Sequence, residues 1–221
     1  MEPSSSRHQC VIYDGAPSHH LRALAAIACK KLEQNYRCLY LNSRPMVAGM
    51  RSYLAAAGLD VEHEVGKASL VLSSEQGHLV NGHFDVNRMM DMLEHALTQA
   101  LNDGYAGLWA SGDMTWEMGP DNDYSRLLEY EWRLEEFFLK HAEMSGICQY
   151  HVHTLPREIV RHGVVIHPSL FVNETLSLAN PQYLPPEAFA RTMRNQEMDS
   201  VIHQEIDSII HVLCQSGSHT S

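Results

Sequence analysis

The stretch "CQYHVH" (148–153) sets a thiol, a phenol and two imidazoles in one short segment. If the segment is extended, His151 and His153 fall on one side and Cys148 on the other. His167 is a third histidine that could join His151 and His153 around a metal, which takes three or four ligands in fixed geometry. Read without a metal, the three are polar strand-end histidines. "ASGDMTW" (110–116) offers different chemistry. Asp113, Thr115 and Trp116 put a carboxylate, a hydroxyl and an aromatic ring at the end of an apolar run, a combination that suits a small-ligand pocket. The plainer reading has Asp113 capping the next turn. Tyr13 and Asp14 close an earlier apolar run, and Gln149, Tyr150 and His151 close a later one. Glu131 lies on a helix from which it can point back toward these ends or out to solvent.

Nucleophilic chemistry finds less support. There is no GxSxG turn to present a serine. Cys148 sits among apolar neighbours, where a thiolate is disfavoured.

These residues need elements that bring them together. "CVIYD" (10–14), "RCLYLN" (37–42), "ASLVLSS" (68–74), "YAGLWASGDM" (105–114) and "GICQYHV" (146–152) read as strands. Their apolar runs are continuous rather than alternating, which marks a mostly parallel sheet covered by helices on both faces. "VVIHPSLFVN" (164–173) reads as a last strand or an edge. Between the strands, Ser18 can cap a helix with Leu21, Leu24, Ala25, Ala28 and Leu32 on its apolar face. A second helix runs from Arg44 to about Gly58. A third covers 86–104, with Met90, Leu93, Leu97 and Leu101 on one side. Further helices cover 123–144 and 155–163. After the Pro-rich "NPQYLPPE" (180–187) a helix from about Pro186 to Leu213 carries apolar residues at 189, 193, 198, 202, 206, 209 and 213, close to helical period. In parallel sheets of this kind ligands bind at the carboxyl ends of the strands. There Tyr13, Asp14, Asp113, Thr115, Trp116, Gln149, Tyr150 and His151 would converge on one edge.

The first strand–turn–helix is also where many α/β proteins hold a nucleotide phosphate. The turn here is "DGAPSHH" (14–20). The phosphate loop needs GxxxxGK[ST], with glycine amides close to phosphate, a lysine for charge and a hydroxyl for magnesium. This turn has one glycine, a proline that removes a donor, and no lysine. GxGxxG is absent too. Nucleotide hydrolysis therefore loses its chemistry although the frame is kept.

With 221 residues the chain is long enough for one domain with a real core, and at 44% hydrophobic residues it is globular in composition. A formal charge of −11, with no Lys/Arg run, argues against direct binding of nucleic acid or an anionic membrane. No apolar run reaches a membrane span or forms a signal peptide. Five cysteines, odd in number and without a CxxC, fit a reducing cytoplasm, and a cytoplasmic protein is expected. The fifteen histidines are dispersed, which leaves surface charge sensitive to pH near neutrality.

Several segments in order resemble the MEDS family, the methanogen/methylotroph sensory domain. They are "HQCVIYDG" (8–15), "RCLYLN" (37–42), "GLWASGDMTW" (107–116), "LLEYEWRLEEFF" (127–138), "ICQYH" (147–151) and "VVIHPSLFVNETLSLANPQYLPPE" (164–187). The resemblance implies a RecA-like three-layer α/β domain that has lost its nucleotide loop and senses a small ligand. Hydrocarbon-derived or one-carbon compounds are the suggested class.

The expected organisation is a disordered lead-in (1–8), a MEDS-like domain (9–187) and a C-terminal helix and tail (188–221). The expected function is a non-enzymatic sensory domain that needs no cofactor. It would bind a small ligand through Tyr13, Asp14, Asp113, Thr115, Trp116, Glu131, Gln149, Tyr150 and His151. It would signal to a sensor kinase or transcription regulator and form a homo-oligomer. Two alternatives stay open: a degenerate ATPase or metal-dependent enzyme, and a dimeric interaction module joined through the C-terminal helix.

Overall fold

The apolar runs become buried parallel strands. The computed structural model describes residues 7–118, 124–195 and 200–217. Its main sheet has seven strands: β1 (His8–Tyr13), β2 (Tyr36–Leu41), β3 (Leu70–Ser73), β6 (Gly107–Asp113), β7 (Met144–His151), β8 (Ser169–Asn173) and β9 (Leu176–Ala179). Their order is β3-β2-β6-β7-β1-β8-β9, and every pairing is parallel except β8 with β9. The small hairpin of β4 (Leu79–Val80) and β5 (His83–Phe84) stands apart, turning through Asn81 and Gly82 with φ of 53° and 86°. Positive φ at both turn positions suits the twist of a two-residue hairpin.

Helices cover both faces. On one side α1 (Leu21–Glu33), α2 (Arg44–Ala56) and α3 (Val61–Gly66) bury Leu24, Met50, Leu54 and Val61 against Val11, Cys38, Tyr40, Trp109 and Ile147. On the other, α4 (Val86–Asn102), α6 (Leu127–Lys140) and α7 (Arg157–Ile166) pack on Cys10, Ile12, Leu108, Cys148 and Tyr150. The two sets alternate along β1, β2, β6 and β7, so each of these strands feeds both cores. Full burial of each large apolar side chain is worth about 1.5–3 kcal/mol. A short α5 (Met114–Glu117) follows β6, and α8 (Pro186–Asn195) and α9 (Ser200–Gly217) close the chain. α9 lays Ile206 and Leu213 into the second core beside α7 and β1.

The α/β architecture with its mostly parallel sheet and C-terminal helix is as expected. Several local expectations are corrected. His8, placed in a disordered lead-in, begins β1 and is buried; residues 1–6 of that lead-in lie outside the described residues. Ser18 does not cap α1, because a 3-10 turn over Pro17–His20 comes first and the cap positions carry no side-chain bond. "VVI" (164–166) is the end of α7 rather than the start of a strand. His167 precedes Pro168 and is forced extended, at φ −99° and ψ 124°, so the helix stops there. α6 ends at Lys140, because His141 turns extended and Met144 must pair with Leu108 in the sheet. Leu101, assigned to the buried side of α4, is 40% exposed in its last turn. In the C-terminal stripe Phe189, Ile206 and Leu213 are buried and Ile202 is exposed, while Met198 lies outside the described residues.

Candidate functional site

At the carboxyl edge of the sheet, the parallel register places the ends of β1, β6 and β7 side by side. The Tyr13 hydroxyl donates to Asp113 Oδ2 at 3.1 Å. Asp113 Oδ1 accepts the Trp116 backbone N–H at 2.9 Å, so Asp113 caps α5 as the plainer reading had it. Burial pushes the Asp113 carboxyl up, against the pull of these two donors. It pushes the Tyr13 phenol up as well, helped by the Asp113 charge.

A polar chain crosses the same edge. Thr115 Oγ1 lies 2.9 Å from Thr154 Oγ1, and Thr154 Oγ1 lies 3.0 Å from His151 Nδ1. His151 Nε2 lies 3.1 Å from the carbonyl of Gly15. A carbonyl only accepts, so Nε2 carries the hydrogen and Nδ1 accepts from Thr154. Gly15, with φ of 60°, turns that carbonyl toward the ring. The turn that would cradle a phosphate is thus fastened to the end of β7. Beneath it, Gln149 Nε2 donates to Ser111 Oγ at 3.0 Å, and Ser111 donates to the Ile147 carbonyl at 2.8 Å. Trp116 lies farther out, its ring 5.4 Å from that of His78. Asp14 is half-buried near Cys214 of α9, where its charge adds to the burial that pushes that thiol up.

Two of the nominated residues lie elsewhere. Tyr150 alternates to the opposite face of the sheet, and Glu131 is buried beneath α6 instead of reaching the strand ends. The Tyr150 hydroxyl donates to Glu131 Oε1 at 2.5 Å. The three histidines weighed as metal candidates, His151, His153 and His167, do not come together. His151 and His153 lie with ring centres 5.7 Å apart, while His167 is fully buried across the sheet with Tyr150.

That buried region holds what sequence reasoning missed. His8 on β1, Cys148 on β7, Glu131 on α6 and His167 after α7 meet there. One potential ligand atom from each lies within 4.8 Å of all the others. His8 Nδ1 is 2.6 Å from Glu135 Oε2, and Glu135 Oε1 accepts the Tyr183 hydroxyl at 2.5 Å. His167 Nδ1 is 2.6 Å from the Gly163 carbonyl. Phe138 stacks on His8 with ring centres 4.2 Å apart. Asn180 steadies the segment by donating to the His167 carbonyl at 2.9 Å. Burial pushes the Glu131 carboxyl up to about 8, with the Glu135 charge adding to it. It pushes the His8 imidazole down to about 3, and His167 well below its usual range.

The matching segments of the sequence have a counterpart in a family model. The model of the methanogen/methylotroph, DcmR sensory domain, MEDS, matches residues 7–168. The chain belongs to the MEDS family. Comparison of this MEDS chain with curated proteins finds no match. Its family marks a sensory role, and among the described residues no helix is long and apolar enough to cross a membrane.

The MEDS domain also carries an open apolar groove of about 600 Å³. It lies between α4 and the uncovered face of β2 and β3, lined by Leu39, Leu41, Val71, Met89, Met92 and Leu93. None of the residues nominated from the sequence lines it.

Proposed function

We propose that this MEDS chain is a non-enzymatic sensory domain that binds a small, mostly apolar molecule and passes the change to a partner protein. The groove beside α4 is the observation that carries this reading. Its volume falls within the roughly 300–1,000 Å³ usual for ligand pockets, and its wall is aliphatic with Arg88, Asp91 and His95 among its polar residues. That lining suits a hydrocarbon derivative with one polar group better than a nucleotide. The β1–α1 turn supports the same reading, since its glycine carbonyl and the Asp113 carboxylate are both engaged within the chain. The proposed partner is a sensor kinase or transcription regulator, and the proposed assembly is a homo-oligomer in the cytoplasm.

Thermal unfolding in the presence of short alcohols, aldehydes and chlorinated alkanes tests it. One class should raise Tm by about 2–4 °C, the shift that ~1 kcal/mol of binding gives in a chain of this length. Ala96→Phe, which fills the groove, should abolish the rise. No rise with any class would overturn the ligand reading. ATP hydrolysis that Asp113→Ala removes would overturn the non-enzymatic one.

A further inference from the structure

The buried meeting point of β1, β7, α6 and the end of α7 has a charge problem. Glu131 Oε2 and His167 Nε2 lie 3.6 Å apart, both buried and both without a hydrogen-bond partner. His167 Nδ1 faces a carbonyl, which only accepts, so the hydrogen sits on Nδ1 and Nε2 presents a lone pair. The carboxylate oxygen opposite is also an acceptor. Two buried acceptors facing each other are costly unless a cation stands between them. A proton on Glu131 is one such cation. The rest of the cluster points to another.

We propose that His8, Glu131, Cys148 and His167 form a site for a divalent transition-metal ion, with zinc as the ion. The donor set is two imidazole nitrogens, a thiolate and a carboxylate, which suits tetrahedral zinc. Magnesium and calcium ask for several oxygens, and this set supplies one carboxylate. Two of the separations agree, and all four ligand atoms lie within 4.8 Å of one another. Bond lengths of ~2.0 Å to nitrogen and ~2.3 Å to sulfur put neighbouring ligand atoms about 3.3–3.6 Å apart. Cys148 Sγ lies 3.6 Å from His8 Nε2, and Glu131 Oε2 lies 3.6 Å from His167 Nε2.

The groups that hold the two histidines are those of a metal site. A ligating histidine gives its other N–H to a carboxylate or a carbonyl, which fixes the tautomer. His8 does so to Glu135 and His167 to the Gly163 carbonyl. Glu135 is in turn held by Tyr183, and Glu131 by Tyr150. On binding, the thiol proton and the Glu131 proton leave, and thiolate plus carboxylate then cancel the two positive charges of the ion. Four protein ligands close the coordination, so the ion ties four elements together and leaves no position for an activated water.

The test uses the full chain stripped with chelator and titrated with Co²⁺ and then Zn²⁺. One equivalent of cobalt should give the intense visible absorption of a tetrahedral ion and a thiolate-to-cobalt charge-transfer band, and zinc should displace it. Cys148→Ser should lose the charge-transfer band. Glu135→Gln touches no ligand position and should weaken zinc binding by about 10–100-fold. A wild-type titration with no thiolate band, or with the weak spectrum of an octahedral ion, overturns the proposal even if every variant fails to fold. An unchanged zinc affinity in folded Glu135→Gln overturns the role given to Glu135 in orienting His8.

Discussion

The His151 ring reaches across the end of the sheet, and its Nε2 lies 3.1 Å from the carbonyl of Gly15. This contact fastens the β1–α1 turn to β7 and belongs to a chain that runs on through Thr154 to Thr115. His151→Ala removes the middle of that chain. Stability should fall by about 1 kcal/mol, the net worth of a typical hydrogen bond. Urea unfolding measures the loss. Phosphate release from ATP should stay at background in the variant, because loosening the turn does not supply a lysine.

Gly163 allows α7 to lie against the Tyr150 ring. A Cβ there would come within 2.5 Å of a ring carbon, and Tyr150 is fully buried and bonded to Glu131. Alanine gains up to about 1 kcal/mol in helix preference over glycine. Overpacking against a fixed ring costs about 1–3 kcal/mol and wins. Gly163→Ala should therefore destabilise the protein. A higher urea midpoint would show that Tyr150 moves aside freely.

His20 packs edge-on to Tyr13 with ring centres 4.4 Å apart. Burial pushes its imidazole down to about 4 from an ordinary 6.5; His19 and His151 add to this and Asp14 opposes it. The unfolded chain therefore binds this proton more readily between those values, so the contribution is full above pH ~6.5 and is lost as pH falls toward 4. The upper bound is about 3 kcal/mol before screening by solvent. The stability difference between wild type and His20→Gln, followed by urea unfolding, should change across pH 6.5–4 and be flat above it. A difference flat through the whole range would refute the buried-neutral assignment.

α9 is fastened by Asp207. Arg161 donates to it at 2.9 and 2.6 Å, and Arg157 at 2.6 Å. The Arg161 bonds, with Arg157 beside them, hold the Asp207 carboxyl down to about 2. A depressed carboxyl stabilises above its ordinary value near 4, and the contribution is lost as pH falls through 2. Asp207→Asn should cost about 1 kcal/mol at pH 7, with the gap to wild type shrinking below pH 4. Hydrogen exchange of α9 amides reports whether the helix loosens.

Some of the strand-end site was legible. Tyr13, Asp113, Gln149 and His151 end adjacent parallel strands, and period-two alternation puts them on one face. The same rule sends Tyr150 to the other face, so grouping it with its neighbours was at odds with the rule itself. The buried cluster left a weaker trace. Glu131 and Glu135 fall with Leu134 and Phe138 on the helical spacing of the apolar stripe, which is an unusual place for two carboxylates. His8 left no trace, because one polar residue before an apolar run looks like the run's edge.

The five core strands, their parallel sheet and the loss of the phosphate loop follow from the sequence alone, because continuous apolar runs and turn chemistry are local properties. Tertiary structure decided which polar residues meet. His8, Glu131, Cys148 and His167 are spread over 160 positions of the chain, and only the β1–β7 pairing and the seating of α6 and α7 bring them within 4.8 Å of one another. Long-range proximity of this kind is set by how elements pack, and no spacing along the chain encodes it.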